Sequence, residues 1–171
     1  MTTEQEELFR ADPLIKAIID LDMVSSIKIV GGAVIDILEG RKVKDYDCFG
    51  FDKFKAEKLG FEYQYETKTA KTFKKGDIIV QNLKTDINDF DFKISQANIT
   101  WNYQKKLTLI LDETSFEKKI LIPTDKAWTE KKNALNSLRR IPHWRNKGYT
   151  INDTTYLSLL GVVGKNNNIN S

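Results

Sequence analysis

The stretch from Ile29 to Phe51, IVGGAVIDILEGRKVKDYDCFGF, constrains the fold more than any other part of the chain. Its pattern predicts a short buried strand, a glycine pair, a short helix, a basic loop and a second strand that carries Asp45 and Asp47. Successive side chains of a strand point to opposite faces, so these two carboxylates project to the same side, with Cα atoms about 6.6 Å apart. Such a pair suits the binding of one divalent cation or the bridging of two.

The glycine pair adds a second element of a site. Gly31 and Gly32 allow the backbone to approach a ligand closely, and the helix that follows offers unpaired N–H groups to a phosphate. A phosphate cradle near two carboxylates predicts metal-dependent chemistry on a nucleoside triphosphate.

The segment GGAVIDILEGRKVKDYD resembles the head-domain signature of the polymerase-β-like nucleotidyltransferases, and is most similar to the branch of CCA-adding enzymes and bacterial poly(A) polymerases. The shared pattern is a Gly-Gly pair, a small residue, a helix with an aspartate, a glycine, a basic loop and an Asp-x-Asp strand. One departure is Ile35, where that branch usually has an arginine. Its loss is expected to weaken contact with the triphosphate or the acceptor.

The resemblance implies an α+β nucleotidyltransferase fold, with a mixed central sheet flanked by helices. It implies the transfer of a nucleoside monophosphate from a nucleoside triphosphate to a hydroxyl, with release of pyrophosphate. Two Mg²⁺ ions would be held by three carboxylates, those of Asp45, Asp47 and Asp91. The candidate nucleotide-binding residues are Gly31, Gly32, Lys44, Arg139 and Arg140.

Asp91 is the candidate third ligand because this superfamily commonly takes its third carboxylate from a neighbouring strand. The segment DFKISQANITW, which Asp91 opens, has the pattern of such a strand. The alternative is that Asp91 is a strand-end or cap residue.

The segment INDFDFKISQANI also resembles small nucleotidyltransferase-like proteins of bacteriophages and other viruses, as does LRRIPHWRNKGY from Leu138 to Tyr149. The two resemblances together cover roughly residues 29–151. They imply a phage protein that acts in the host cytoplasm.

Composition is consistent with an ordinary globular protein, since 40% of its 171 residues are hydrophobic and 30% are charged. We expect one domain over residues 1–164 and a disordered tail over 165–171. No apolar run approaches the roughly 20 residues of a membrane span, and the acidic N-terminus is not a signal peptide. One cysteine and one histidine exclude a disulfide framework and a zinc site, and favour the cytoplasm.

Positive charge is concentrated near the C-terminus. Residues 131–149 contain six basic residues and no acidic one, which favours binding of phosphates or nucleic acid. The alternative is a solvated helix face.

Four further features have two interpretations each. Asp36 either holds the basic loop through a lysine or arginine or is exposed. Residues 67–77, TKTAKTFKKGD, form either a flexible basic loop beside the site or an ordinary hairpin. Cys48 is expected to be a core residue rather than a reactive thiol. His143 is expected to be packed or on the surface rather than catalytic.

The sequence therefore predicts an enzyme that uses a nucleoside triphosphate and acts on a hydroxyl of RNA, with a tRNA 3′ end as one candidate by analogy. The large helical domains of full CCA-adding enzymes have little counterpart in this length, which implies another mode of acceptor recognition or a protein partner. One alternative is a non-catalytic module that binds RNA, nucleotide or a host protein. Another is a toxin-like transferase that modifies tRNA.

Overall fold

A computed structural model describes residues 1–21 and 27–164, which divide into two compact units. The first comprises the described residues within Met1–Asp86 and Ala97–Ile110, and the second comprises those within Ile87–Gln96 and Leu111–Ser171. The expected domain boundary at residue 164 stays a prediction. The sequence predicts the first strand over residues 26–30, and its first residue, like the expected tail, lies outside the described residues.

The first unit is built on a mixed sheet, which in the described part of the chain has the strand order β3-β4-β5-β2-β1-β6-β7. Strands β2 and β5 are parallel, and every other neighbouring pair is antiparallel. The strands are β1 (Lys28–Val30), β2 (Asp45–Phe49), β3 (Glu62–Glu66), β4 (Ala70–Lys75), β5 (Ile78–Leu83), β6 (Asn98–Trp101) and β7 (Leu107–Ile110).

The helices of this unit are α1 (Thr3–Ala11), α2 (Pro13–Asp20), α3 (Gly32–Leu38) and α4 (Lys53–Lys58). The Asp12–Pro13 step in the sequence predicts a helix start, and Asp12 does cap α2 with Pro13 as its first residue, where a missing N–H costs nothing. The sequence also predicts a capping box at Thr3 and Glu6, which is wrong by one residue. Thr2 and Gln5 form it, because the Thr2 hydroxyl accepts the N–H of Gln5 while the Gln5 side chain accepts the N–H of Thr2.

The core of the first unit lies against one face of the sheet. Strand register places five buried side chains on this face, and none is more than 1% exposed: Ile29, Tyr46, Cys48, Val80 and Ile99. This confirms that Cys48 is a core residue. We call this the back face of the sheet, and the opposite side the front face.

The basic segment 67–77 is a hairpin, so the flexible-loop interpretation is wrong. Most of it is β4, which pairs with β3 on one side and with β5 on the other. Phe73 and Lys74 are consecutive and project to opposite faces, and the Phe73 ring is buried while Lys74 is exposed. Pairing on both sides satisfies the backbone and makes a strand of a sequence whose lysines suggest a loop.

The second unit contains two 3₁₀ turns and four helices among its described residues. They are Ile87–Asp89, Lys93–Gln96, α5 (Glu113–Lys118), α6 (Asp125–Thr129), α7 (Lys131–Arg145) and α8 (Asp153–Gly164). In the described part of the chain, no helix is long and apolar enough to cross a membrane.

The strand predicted to start at Asp91 is wrong over its first half. Phe92 makes an isolated bridge with Pro123, and Lys93–Gln96 then forms a 3₁₀ turn in which the Ser95 N–H donates to the Phe92 carbonyl. Extended pairing starts only at Asn98, in β6. Asp91 therefore does not lie on a strand.

Candidate active site

The two predicted carboxylates lie on the same side of β2. Asp45 is exposed and Asp47 is half-buried, whereas Tyr46 is 1% exposed and Cys48 is fully buried. The alternation places both carboxylates on the front face. We call Asp45 and Asp47 the carboxylate pair.

Strand register identifies the neighbours of the carboxylate pair on the front face. Asp47 is paired with Val30 of β1 and with Gln81 of β5, and Asp45 is paired with Ile79 of β5. Paired residues of adjacent strands project to the same face. The strands adjacent to β2 thus present apolar side chains and one amide beside the carboxylates, and no third acid.

Gln81 is a front-face residue that the sequence alone did not identify. The segment DIIVQNL predicts a buried strand, yet its parallel pairing with β2 arises from residues far apart in the chain. Gln81 is half-buried, and its pairing with Thr72 continues a polar row on the front face.

The glycine turn is adjacent to Asp47, because Val30, the partner of Asp47, directly precedes Gly31. Gly31 adopts φ 70° and ψ −134°, a conformation that favours glycine. Its N–H donates to the carbonyl of Ala97 at 2.7 Å. Any phosphate contact of this turn therefore falls to Gly32 and the amides after it.

The basic loop after α3 is held by its own helix. The Asp36 carboxylate accepts a hydrogen bond from Arg41 Nε at 2.8 Å, and Arg41 also pairs with Glu39. This confirms that Asp36 holds the loop through an arginine. Lys44 is exposed directly before Asp45, and its carbonyl accepts the N–H of Ile79 at 2.7 Å.

Ile35, at the position where the resembled branch has an arginine, is fully buried in the core. Its side chain belongs to the packing of α3 with Val34 and Ile37. The departure from the family pattern is thus accommodated as an apolar contact.

A buried polar pair lies behind the carboxylates. The Tyr46 hydroxyl donates to Asp12 Oδ2 at 2.7 Å, and Asp12 Oδ1 accepts the N–H groups of Leu14 and Ile15 at 3.1 and 3.0 Å. Burial raises the pKa of Asp12, and these hydrogen bonds partly oppose the rise. Burial, together with the bond to Asp12, also raises the pKa of Tyr46.

Asp91, the third predicted ligand, lies in the second unit. Its side chain is 10% exposed, and Arg140 Nη1 lies 3.2 Å from its Oδ1. Burial raises the pKa of Asp91, while Arg140 opposes the rise. Its role as a metal ligand stays a prediction.

Asp91, Arg139 and Arg140 share one cleft of about 310 Å³ in the second unit. Lys126 Nζ pairs with Asp89 Oδ1 at 3.1 Å in the same cleft. The lining also contains Ala127, Asn133 and Asn136. The structure thus brings together three of the predicted site residues here, and it brings Asp45, Asp47 and the glycine pair together in the first unit.

His143 is exposed and meets the ring of Trp144 edge to face, with centroids 5.7 Å apart. The pKa of the Cys48 thiol is raised, and burial is the largest cause of the rise. Over residues 1–21 and 27–164, no three His, Cys, Asp or Glu side chains cluster as a metal site.

Solved structures with a similar fold include CCA-adding enzymes and a tRNA nucleotidyltransferase. A CCA-adding enzyme in complex with CTP has a TM-score of 0.67 and 20% identity over 92% of this chain and 45% of its own. The Thermotoga maritima CCA-adding enzyme complexed with tRNA has a TM-score of 0.64 and 21% identity over 92% of this chain and 44% of its own. A tRNA nucleotidyltransferase complexed with a primer tRNA and an ATP analog has a TM-score of 0.61 and 20% identity over 86% of this chain and 49% of its own.

The chain spans less than half the length of each of these proteins. No protein-family model matches the sequence, and no curated protein matches it. The likeness therefore concerns the fold. The chain has the α+β nucleotidyltransferase fold found in CCA-adding enzymes, as the sequence resemblance predicted.

Proposed function

We propose that this protein is a divalent-cation-dependent nucleotidyltransferase that moves a nucleoside monophosphate from a nucleoside triphosphate to a hydroxyl of RNA. The observation that carries the proposal is the carboxylate pair, which lies on the front face of β2 next to the Gly31 turn. The fold supports it, because solved structures that share the fold include complexes with CTP and with an ATP analog.

The donor set of the carboxylate pair fits Mg²⁺. Asp45 and Asp47 offer only carboxylate oxygens, and Mg²⁺ prefers hard oxygen ligands. Bound Mg²⁺ supplies charge neutralisation at the triphosphate and a lower pKa of the attacking hydroxyl, and enzymes of this chemistry use two such ions. Asp45 and Asp47 would hold the ions.

The reaction forms a bond between the acceptor oxygen and the α-phosphorus of the triphosphate. The bond between the α-phosphorus and the bridging oxygen breaks, and pyrophosphate leaves with the electron pair. The acceptor hydroxyl gives up its proton to solvent water. The carboxylates are suited to a binding and orienting role, because Asp45 is exposed on the front face where both substrates have access.

RNA is the proposed acceptor for two reasons. Solved structures of this fold include complexes with tRNA, and α7 with the loop after it carries six basic residues and no acidic one. Arg139 is exposed and Arg140 is partly engaged by Asp91, so we assign Arg139 the first phosphate contact in the second unit. A tRNA 3′ end is the acceptor that these structures favour.

A non-catalytic binding module is the second candidate. It is favoured by one observation, namely that β1 and β5 place Val30, Ile79 and Gln81, and no acid, beside the carboxylate pair. Such a module would bind RNA or nucleotide without turnover.

The experiment is incorporation of each labelled nucleoside triphosphate into total RNA and into tRNA that lacks its 3′ end, with and without Mg²⁺. We expect Mg²⁺-dependent extension that falls at least about a hundredfold in Asp45→Asn and in Asp47→Asn. Asp52→Asn, at an exposed helix cap in the same unit, is the control and should retain activity.

Activity in both aspartate variants equal to that of the wild type would refute the site. RNA binding that weakens with salt, without incorporation of any nucleotide, would support the binding module. Extension of intact tRNA would point to the toxin-like alternative.

A further inference from the structure

The side chain between the two carboxylates belongs to a buried network that the proposed reaction does not use. Tyr46 follows Asp45 and precedes Asp47, and its side chain leaves β2 on the opposite face. Its hydroxyl donates to Asp12 Oδ2 at 2.7 Å across 34 positions of sequence. Asp12 Oδ1 accepts the N–H groups of Leu14 and Ile15 at the start of α2. The network therefore ties β2 to the N-terminus of a helix.

Packing alone does not require this network. Tyr46 is 1% exposed, and a phenylalanine would fill the same core volume without a polar atom that needs a partner. Asp12 is 8% exposed, and burying a carboxylate costs solvation. A hydrogen bond is directional, whereas apolar contacts tolerate small shifts, so the pair fixes the position of β2 along and across the core.

Residue 46 is the point of β2 at which a shift would matter most. The Cα atoms of Asp45 and Asp47 lie one residue to either side, so the pleat and twist at Tyr46 set the separation and direction of both carboxylates. A cation held by two carboxylates is sensitive to that separation, because Mg²⁺ demands short and nearly ideal coordination distances.

We propose that the hydrogen bond between Asp12 and Tyr46 positions the carboxylate pair for divalent-cation binding. Tyr46 and Asp12 are positioning residues, since they act through β2 and do not touch substrate. The inference rests on the proposed function, because it takes Asp45 and Asp47 as the cation ligands.

The expected effect is a loss of cation affinity without loss of fold. Residues that orient metal ligands from behind typically change affinity 10- to 100-fold when replaced, so we expect Tyr46→Phe to weaken Mn²⁺ binding about tenfold. Asp12→Ser retains a hydroxyl cap for α2 but does not reach Tyr46, and should weaken binding similarly. Asp12→Asn keeps an oxygen that caps α2 and an amide N–H that can donate to the Tyr46 hydroxyl. This variant should therefore retain most of the wild-type affinity.

The measurement is Mn²⁺ binding to the full chain by calorimetry and by electron paramagnetic resonance, with unfolding by urea recorded for every variant. Asp52→Ala is the matched control, because Asp52 caps α4 in the same unit through the Lys55 N–H at 2.9 Å. Loss of a cap costs about 1 kcal/mol, so this variant reproduces the destabilisation without altering the back of β2.

Reduced Mn²⁺ affinity in Tyr46→Phe and Asp12→Ser, with wild-type affinity in Asp52→Ala, supports the proposal. Wild-type affinity in Tyr46→Phe and Asp12→Ser overturns it, as does an equal loss in Asp52→Ala. Asp47→Asn separates the two levels of inference. If it binds Mn²⁺ as the wild type does, the proposed site itself fails, whereas if it loses binding and Tyr46→Phe does not, only the positioning role fails.

Discussion

The two groups of acids in this molecule differ in what surrounds them. Asp45 is exposed on the front face of β2, and it makes no ion pair among the described residues. Asp91 has a side chain that is only 10% exposed, and Arg140 lies 3.2 Å away. The sequence resemblance implies that Asp45 and Asp91 bind the same metal ions. In the structure, however, Asp45 faces solvent, whereas the charge of Asp91 is balanced by Arg140.

The difference lies in the source of the positive charge that balances each carboxylate. A buried carboxylate needs a partner in the protein, and Asp91 has one in Arg140. An exposed carboxylate keeps its solvation and can exchange water for an external cation at little cost. Asp45 on the front face of β2 is therefore better placed to take up an external cation than Asp91, whose charge is balanced by Arg140 in the second unit.

The largest effect expected from this comparison is on cation binding. Asp47→Asn should weaken Mn²⁺ binding at least about a hundredfold, because it removes the negative charge and one oxygen of a proposed carboxylate ligand. Asp91→Asn should change the affinity less than about twofold, because Asp91 is matched with Arg140. Calorimetric titration of both variants measures this. A loss in Asp91→Asn as large as that in Asp47→Asn would place Asp91 among the metal ligands and end the distinction.

The next effect is on stability. Arg140→Ala leaves a buried carboxylate without its cationic partner and should lower the free energy of unfolding by about 1–3 kcal/mol at pH 7. The neighbouring Arg139 is exposed, so Arg139→Ala is the control and should stay within about 0.5 kcal/mol. Urea unfolding of both variants measures the difference, and equal stabilities would show that the ion pair contributes nothing.

The stability of Arg140→Ala relative to wild type is predicted to depend on pH. Burial raises the pKa of Asp91 and Arg140 lowers it, so removal of Arg140 raises the folded-state pKa further. The folded state then takes up a proton more readily than the unfolded chain. The loss of stability relative to wild type is complete above the folded-state pKa of Asp91 in Arg140→Ala, and it disappears as pH falls below the folded-state pKa of Asp91 in the wild type, because the unfolded chains titrate alike. The stability gap to wild type should therefore narrow between pH 7 and pH 4, and a gap that widens would contradict this.

The smallest effect concerns Gln81, which is paired with Asp47 on the front face. Gln81→Glu adds a third carboxylate beside the pair and should tighten Mn²⁺ binding about tenfold, or about 1.4 kcal/mol. Thr72→Glu, one strand further from Asp47, is the comparison variant and should have a weaker effect. Titration of both variants tests the assignment. Unchanged affinity in Gln81→Glu would show that the front face does not direct this side chain towards the cation.

The sequence predicted the elements whose signals are local. Alternation of polar and apolar residues placed Asp45 and Asp47 on one side of β2, and the Asp12–Pro13 step marked the start of α2. Glycine commonly follows the end of a helix, and Gly60, at φ 76°, follows α4. These outcomes depend on neighbours within a few residues, so a short window of sequence contains the necessary information.

The sequence failed where a distant partner decides the conformation. Segment 70–75 became β4 because two strands flank it, and residues 93–96 became a 3₁₀ turn beside the bridge from Phe92 to Pro123. Gln81 gained its place beside Asp47 through the parallel pairing of β5 with β2. None of these partners is visible in the local pattern.

The sequence by itself determined that two carboxylates and a glycine turn would occur on adjacent elements, because strand periodicity and glycine's backbone freedom are local properties. Tertiary structure alone decided what stands around each acid. It paired Asp91 with Arg140 and joined Tyr46 to Asp12, since the cost of burying a polar group is met by whichever partner folding brings within hydrogen-bonding distance.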